Sequence, residues 1–295
     1  MGTGAITPRV TPASPDTPAT EVSPRNPITQ THVYYPHPLY SSHPSLVNFG
    51  SERFQALNRA SLTHLYSLGL PVEDRTVLEL GSGPGDHTGF YLDHGSKVTA
   101  VDAREPQLRE LKRRYPQVET YCINLDTPMS VYSLAEMGMF DVVHCYGLLY
   151  HLEHPWLLIE AASRACRETL ILCTCVSAAV ELEIVYTRED AGDSGQSVSG
   201  IGCRPSRAWV VKELRKYFPH VYVTKTQPDH AEFPVDWDAL KGLPVWDGIS
   251  NHGPSWRAVF VASRFGLETN RLLQEIHPLQ GICNETNSVQ RDRKR

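Results

Sequence analysis

No apolar run in this chain approaches the roughly 20 residues that cross a bilayer as a helix, so no membrane span is expected. The first residues lack the charged-then-apolar pattern of a secretory signal. Met1-Gly2 is followed at position 6 by Ile6 rather than Ser or Thr, so the myristoylation pattern also fails. No two cysteines stand as Cys-x-x-Cys. The seven are scattered and odd in number, which reads as reduced thiols in a cytoplasmic protein. Without a secretory signal, the formal glycosylation sequon at Asn284 is discounted. Positive charge is in deficit: 28 Lys and Arg stand against 33 Asp and Glu, a net charge of -5. Such a chain offers no global field to a polyanion, so bulk nucleic-acid binding is not implied. There is no internal repeat. What is present is a hydrophobic fraction of 41%, enough for the core of one enlarged domain.

Residues 1–30 are rich in Pro, Thr and Ser and hold almost nothing large to bury, so they read as a disordered tail. Residues 32–44, with Tyr34, Tyr35 and Tyr40, suit an extended strap. Residues 31–265 read as one domain. Helical spacing of Phe54, Leu57, Leu62, Leu65 and Leu68 predicts a helix over 51–69, with Ser51 as its cap. Strands are expected at 76–80, 97–101, 118–123, 140–146, 169–176, 220–225 and 256–264. Helices are expected at 86–94, 106–115, 131–137, 155–166, 207–217 and 268–276. The alternation implies a mostly parallel α/β sheet with helices on both faces. Residues 177–205, rich in Gly, Ser and Asp, read as a lid, and 226–255 as a second irregular insert. Residues 266–295 form an extension with a basic end.

The most informative stretch is 76–102. An apolar run, Thr76 to Leu80, is followed by Gly81, Gly83 and Gly85 at every second position. Glycines there permit a tight bend and let a ligand lie against the backbone. A dinucleotide fingerprint needs a further Gly at position 86 or 88, which are Asp86 and Thr88. Instead, an acid, Glu79, precedes the first glycine by two residues. A carboxylate beside the loop disfavours a pyrophosphate and favours a ligand carrying ammonium and sulfonium groups. A second acid, Asp102, ends the next strand 21 residues after Gly81 (102 − 81), where a carboxylate can accept ribose hydroxyls. S-adenosylmethionine has all of these groups. Its expected contacts are Glu79, Gly81, Ser82, Gly83, Gly85, His87, Thr88, Asp102, Ala103, Leu125, Asp126 and Gly147. Leu125 would pack on the adenine and Asp126 accept its amino group, with Asn124 as the alternative acceptor.

Residues 147–155, Gly-Leu-Leu-Tyr-His-Leu-Glu-His-Pro, follow the fourth strand, at the sheet end where open α/β folds bind ligands. His151 is the candidate base, because its unperturbed pKa lies near operating pH. Tyr150 is the candidate that orients the acceptor. The plainer reading is that His151 caps a helix. His151, Glu153 and His154 invite a metal, but lack the ligand set of a structural zinc site, so none is expected. His144, Cys173 and Cys175 read as core residues. Arg204 and Arg207 suit a carboxylate or phosphate on an acceptor, or ordinary surface pairing. Gln227, His230, Phe233 and Trp237 suit a sugar or planar ring, or simply pack their loop.

The 79–85 segment resembles motif I of class I S-adenosylmethionine-dependent methyltransferases. Gly147 to Leu152, residues 199–207 (Ser-Gly-Ile-Gly-Cys-Arg-Pro-Ser-Arg), Gln227 to His230 and Phe233-Pro234 look like one bacterial group of that superfamily. The Tyr150-His151 segment is also similar to tRNA wobble-uridine carboxymethyl-transfer enzymes. The resemblance covers residues 45–265. It implies a Rossmann-like seven-stranded sheet with an antiparallel last strand, and methyl transfer to an acceptor it does not name. The expectation from charge is an oxygen or nitrogen of a small-molecule or saccharide acceptor. An RNA-modifying enzyme and a cofactor-binding module without turnover are the alternatives.

Overall fold

The computed structural model describes residues 44–235 and 256–274. The expected tail at 1–30, the strap, the insert beyond residue 235 with Trp237, and the basic C-terminal end lie outside the described residues.

The sheet has eight strands. They are β1 (Thr76–Leu80), β2 (Lys97–Asp102), β3 (Glu119–Cys122), β4 (Phe140–Tyr146), β5 (Cys166–Val176), β8 (His220–Thr224), β9 (Trp256–Ser263) and β10 (Leu272–Leu273), in the order β10-β8-β9-β5-β4-β1-β2-β3. β1 to β5 pair in parallel, whereas β9 runs antiparallel between β5 and β8. The seven expected strands are therefore present, with the antiparallel one inside the sheet. The eighth, β10, pairs antiparallel with β8 where a helix over 268–276 is expected. Leu272 buries its side chain in the core and Leu273 packs beside it, so tertiary contact outweighs local helix propensity.

Apolar residues alternate along the strands and sort into two layers. Val77, Val142 and Ile171 pack with Leu65 of α1 (Glu52–Ser67), Tyr91 of α2 (Thr88–Asp93) and Leu111 of α3 (Glu105–Arg114). Leu78, Val143 and Leu170 pack with Leu134 of α4 (Pro128–Glu136), Leu158 of α5 (Pro155–Ala165) and Val210 of α6 (Arg207–Arg215). Ser51 caps α1 as expected, its hydroxyl accepting the Phe54 N–H at 3.3 Å. Pro155 opens α5, where its missing N–H is harmless.

The 177–205 segment is not irregular throughout. Its arms form an antiparallel hairpin, β6 (Ile184–Arg188) with β7 (Ile201–Pro205), and only the intervening residues 189–200 make a loop. β6 has two half-buried residues and three exposed ones, so its apolar signal is too weak to stand out beside the polar loop.

Candidate functional site

The chain ends of the parallel strands converge on one cleft of about 1200 Å³, counting its open mouth. It is lined by Gly81, Ser82 and Gly83 after β1, Asp102, Ala103 and Arg104 at the end of β2, and Asn124 to Asp126 after β3. Gly147, Leu148, Tyr150 and His151 follow β4. Phe49, Phe54 and Leu57 close it from the α1 side, and Ser194 to Val198 of the loop lie across it.

The bend after β1 needs glycine for two reasons. Gly81 has φ +69°, and a Cβ there would stand 2.8 Å from Leu148 Cβ. The bend is tied to β2: the Gly83 N–H donates to Asp102 Oδ2 at 2.9 Å, and the Arg104 N–H donates to Oδ1 at 2.9 Å. Burial pushes the Asp102 pKa up while these N–H groups and the Arg104 charge pull it down. Each oxygen keeps acceptor capacity for a hydroxyl in the cleft.

Glu79 sits beneath the bend, 2% exposed, and accepts the Thr88 hydroxyl at 2.6 Å. Burial raises its pKa to about 8, with Asp86 and Asp102 adding to the rise and Thr88 and Arg114 opposing it. The acid is therefore mostly protonated at neutral pH until a cation approaches, a weaker guard against pyrophosphate than a full charge. Next to it lies a buried polar chain absent from the sequence reading. Tyr91 Oη is 2.7 Å from His144 Nδ1, and His144 Nε2 is 3.0 Å from His87 Nδ1. Burial lowers the pKa of both histidines, His87 to about 4, so both are neutral. His144 is thus a satisfied core residue, while His87 reaches the cleft wall. Gly85 and Thr88 lie behind that wall and support it, Thr88 through Glu79.

Asp126 lines the cleft, but both its oxygens are engaged. Oδ2 accepts the Glu153 N–H and Oδ1 the His154 N–H, each at 2.8 Å, so it caps the turn into α5. With Glu153 and His154 it brings three potential metal-ligand atoms within 4.8 Å of one another.

A single 3-10 turn, Leu149–His151, presents Tyr150 and His151. His151 Nδ1 lies 2.6 Å from Glu189 Oε2. Burial lowers its pKa and Glu189 raises it, with Arg257 and Arg204 adding to the fall. The Tyr150 ring is held between two guanidinium groups, Arg204 at 5.1 Å and Arg257 at 4.9 Å. Its hydroxyl accepts from Arg257 Nη2 at 2.8 Å, while burial pushes its pKa far up. Arg257 in turn donates to Glu232 Oε2 at 2.6 Å.

Residues 77–169 match the family model described as "Methyltransferase domain". Over those residues the chain carries a methyltransferase domain. Over 91 residues it is 31% identical to a tRNA U34 carboxymethyltransferase of Actinobacillus succinogenes, spanning 29% of this chain and 27% of that protein. Over 97 residues it is 29% identical to a ubiquinone biosynthesis O-methyltransferase of Idiomarina loihiensis, spanning 31% and 37%. The chain thus spans only 27% and 37% of the length of these relatives. The fold also matches the N-terminal domain of EvdMO1, crystallised with SAH bound. The TM-score is 0.51 at 21% identity, over 73% of this chain and 84% of that one.

The three expected acceptor contacts fall outside this cleft. Arg207 opens α6 with 1% exposure, so it is core and reaches neither cleft nor surface. Arg204 turns inward, donating to the Tyr150 and Cys203 carbonyls. His230 stays on its loop, its Nδ1 accepting the Glu232 N–H at 3.2 Å. Phe233 packs with Leu57, Cys173 and Val259, the plainer of its two readings. Cys173 and Cys175 are fully buried, and the six cysteines among the described residues are free thiols. Conversely, the sequence reading placed none of Arg257, Glu232, Glu189, Arg104, Phe49 and Phe54 at a site. Arg257 alone left a trace, as a charge inside the apolar strand Trp256–Ser263.

Proposed function

We propose that the chain is an S-adenosylmethionine-dependent methyltransferase acting on a hydroxyl of a small-molecule acceptor. The observation that carries this is the meeting, in one cleft of a methyltransferase domain, of the Gly81–Gly83 bend, the buried Asp102 carboxylate and His151. The residues fit the donor: a glycine cradle that a Cβ would fill, one acid at the end of β2 and one beneath the bend. The donor, when bound, supplies an electrophilic methyl carbon on a positively charged sulfur. In this reading Asp102 holds the ribose, Leu125 packs on the adenine, and Gly147 gives the backbone access beside the sulfur. Phe49, Phe54 and Leu57 offer the acceptor an apolar wall, and the loop at 194–198 excludes water. Most of the rate arises from holding acceptor and donor in line. His151, whose Nδ1 is occupied by Glu189, has Nε2 left to take the hydroxyl proton.

The small-molecule reading is supported by the inward turn of Arg204 and Arg207, which takes both cations out of any patch for an RNA acceptor. The test is incubation of a depleted cell extract with isotopically labelled donor, followed by mass spectrometry of the labelled products. A single labelled small molecule is expected, and labelled tRNA would replace this acceptor class. With the product in hand, His151→Ala should lower turnover by about 10²–10⁴-fold at nearly unchanged donor affinity. An unaltered rate removes His151 as the base.

A further inference from the structure

The loop that crosses the cleft also carries the partner of its histidine. Glu189 directly follows β6, and its Oε2 lies 2.6 Å from His151 Nδ1 and accepts the Ser197 N–H at 2.7 Å. Arg204 Nη1 stands 3.7 Å from the other oxygen. The carboxylate fills space that Gly202 on β7 leaves open: a Cβ there would overlap Glu189 Oε1 and come within 2.7 Å of both Glu189 Cδ and the Tyr150 carbonyl. Gly202 has no left-handed backbone to explain it, so its value is the room it leaves. The far end of the loop is docked by the residue two beyond Asp102. Arg104 Nη2 donates to the carbonyls of Asp193 at 3.0 Å and Gln196 at 3.1 Å, and Gln107 donates to that of Ser194 at 2.7 Å.

A carboxylate only accepts hydrogen bonds, so a neutral His151 facing Glu189 must carry its proton on Nδ1. We infer that Glu189 is a positioning residue for His151, brought to it by the docked 189–200 loop, fixing the tautomer that leaves Nε2 as the proton acceptor in the cleft. The inference rests on the reading of His151 as the base. When His151 takes the acceptor proton, the imidazolium so formed faces an ionised Glu189, whose pKa His151, the Ser197 N–H and Arg204 hold below the usual range. The other charged groups facing this imidazole are Arg204 on β7 and Arg257 on β9, both of which oppose its charging.

The test does not need the acceptor. Nitrogen-15 spectra of histidine-labelled protein, with His151→Ala assigning the signal, read the tautomer and the titration of this ring. The parent protein should show the proton on Nδ1. Glu189→Gln keeps the shape and removes the charge, and should lower the His151 pKa by about one to three pH units. Glu189→Ala should in addition give a mixture of tautomers. Gly202→Ala, which keeps the charge and displaces it, should give the same mixture. Circular dichroism confirms that each variant is folded. A parent ring protonated on Nε2, or one pKa shared by parent and both Glu189 variants, overturns the positioning role. Turnover surviving His151→Ala would remove the base and leave the tautomer result standing, so the two failures are distinguishable.

Discussion

At Asp102, two backbone N–H groups and a place in the cleft wall coincide on one buried carboxylate. Replacing it with Ala unties the Gly83 bend and, in the proposed reading, removes the acceptor for the ribose. Each charge-assisted hydrogen bond lost should weaken donor binding by about 1.5–3 kcal/mol. Titration calorimetry reads this directly, and unchanged affinity would remove the ribose assignment. Glu79 yields a pH dependence. Its pKa of about 8 lies above its ordinary value, so the folded protein favours the protonated acid. The stability this contributes is complete below the unfolded pKa and is lost as pH rises through about 8. The unliganded protein should therefore become easier to unfold in urea between pH 5 and pH 8.5, and Glu79→Gln should flatten that slope. A cationic donor favours the ionised acid, so its binding at pH 7 should release protons, a signal that Glu79→Gln abolishes. Calorimetry in buffers of different ionisation enthalpy measures it.

Among the elements, the β6–β7 hairpin and its loop join the two halves of the cleft, because one end is docked by Arg104 and the other seats Glu189. Arg104→Ala should free the loop without disturbing the sheet. Amide exchange at Ser197, whose N–H is held by Glu189, should accelerate, while the amides of β5 should exchange as before. Equal protection at Ser197 would mean that the loop is held by its own turns. The glycine bend is the second element with a clear penalty. Gly81→Ala introduces a Cβ against Leu148 at φ +69°, and a left-handed non-glycine residue costs about 1–2 kcal/mol before that overlap is counted. Both thermal stability and donor affinity should fall, as a melting curve with and without donor will read.

Across the whole molecule, the net charge of -5 and the burial of Arg207 predict no tRNA retention in filter binding at low salt. Retention that falls steeply with added salt would restore the RNA acceptor. The layers of the fold were legible where a strand is buried on both faces, as in β4 and β5, since an apolar run of that kind has few other homes. The hairpin at 184–205 and strand β10 were not. Their residues gain burial only from neighbours distant in sequence: Cys203 from the 149–151 turn, Leu272 from Tyr222.

The sequence by itself determined the glycine bend and the acid that faces it. A bend that must lack side chains, and an acid at a set distance beyond it, lie within one βαβ unit whose geometry is local. Only the tertiary structure decided what surrounds Tyr150 and His151. Arg204 and Arg207 read as acceptor contacts or surface pairs until packing turned one onto Tyr150 and buried the other. Glu189 and Arg257 came to His151 and Tyr150 from 38 and 107 residues away. The physical reason is that a backbone motif is written in neighbouring residues, whereas the partners of a side chain are chosen by whichever strands the fold lays beside it.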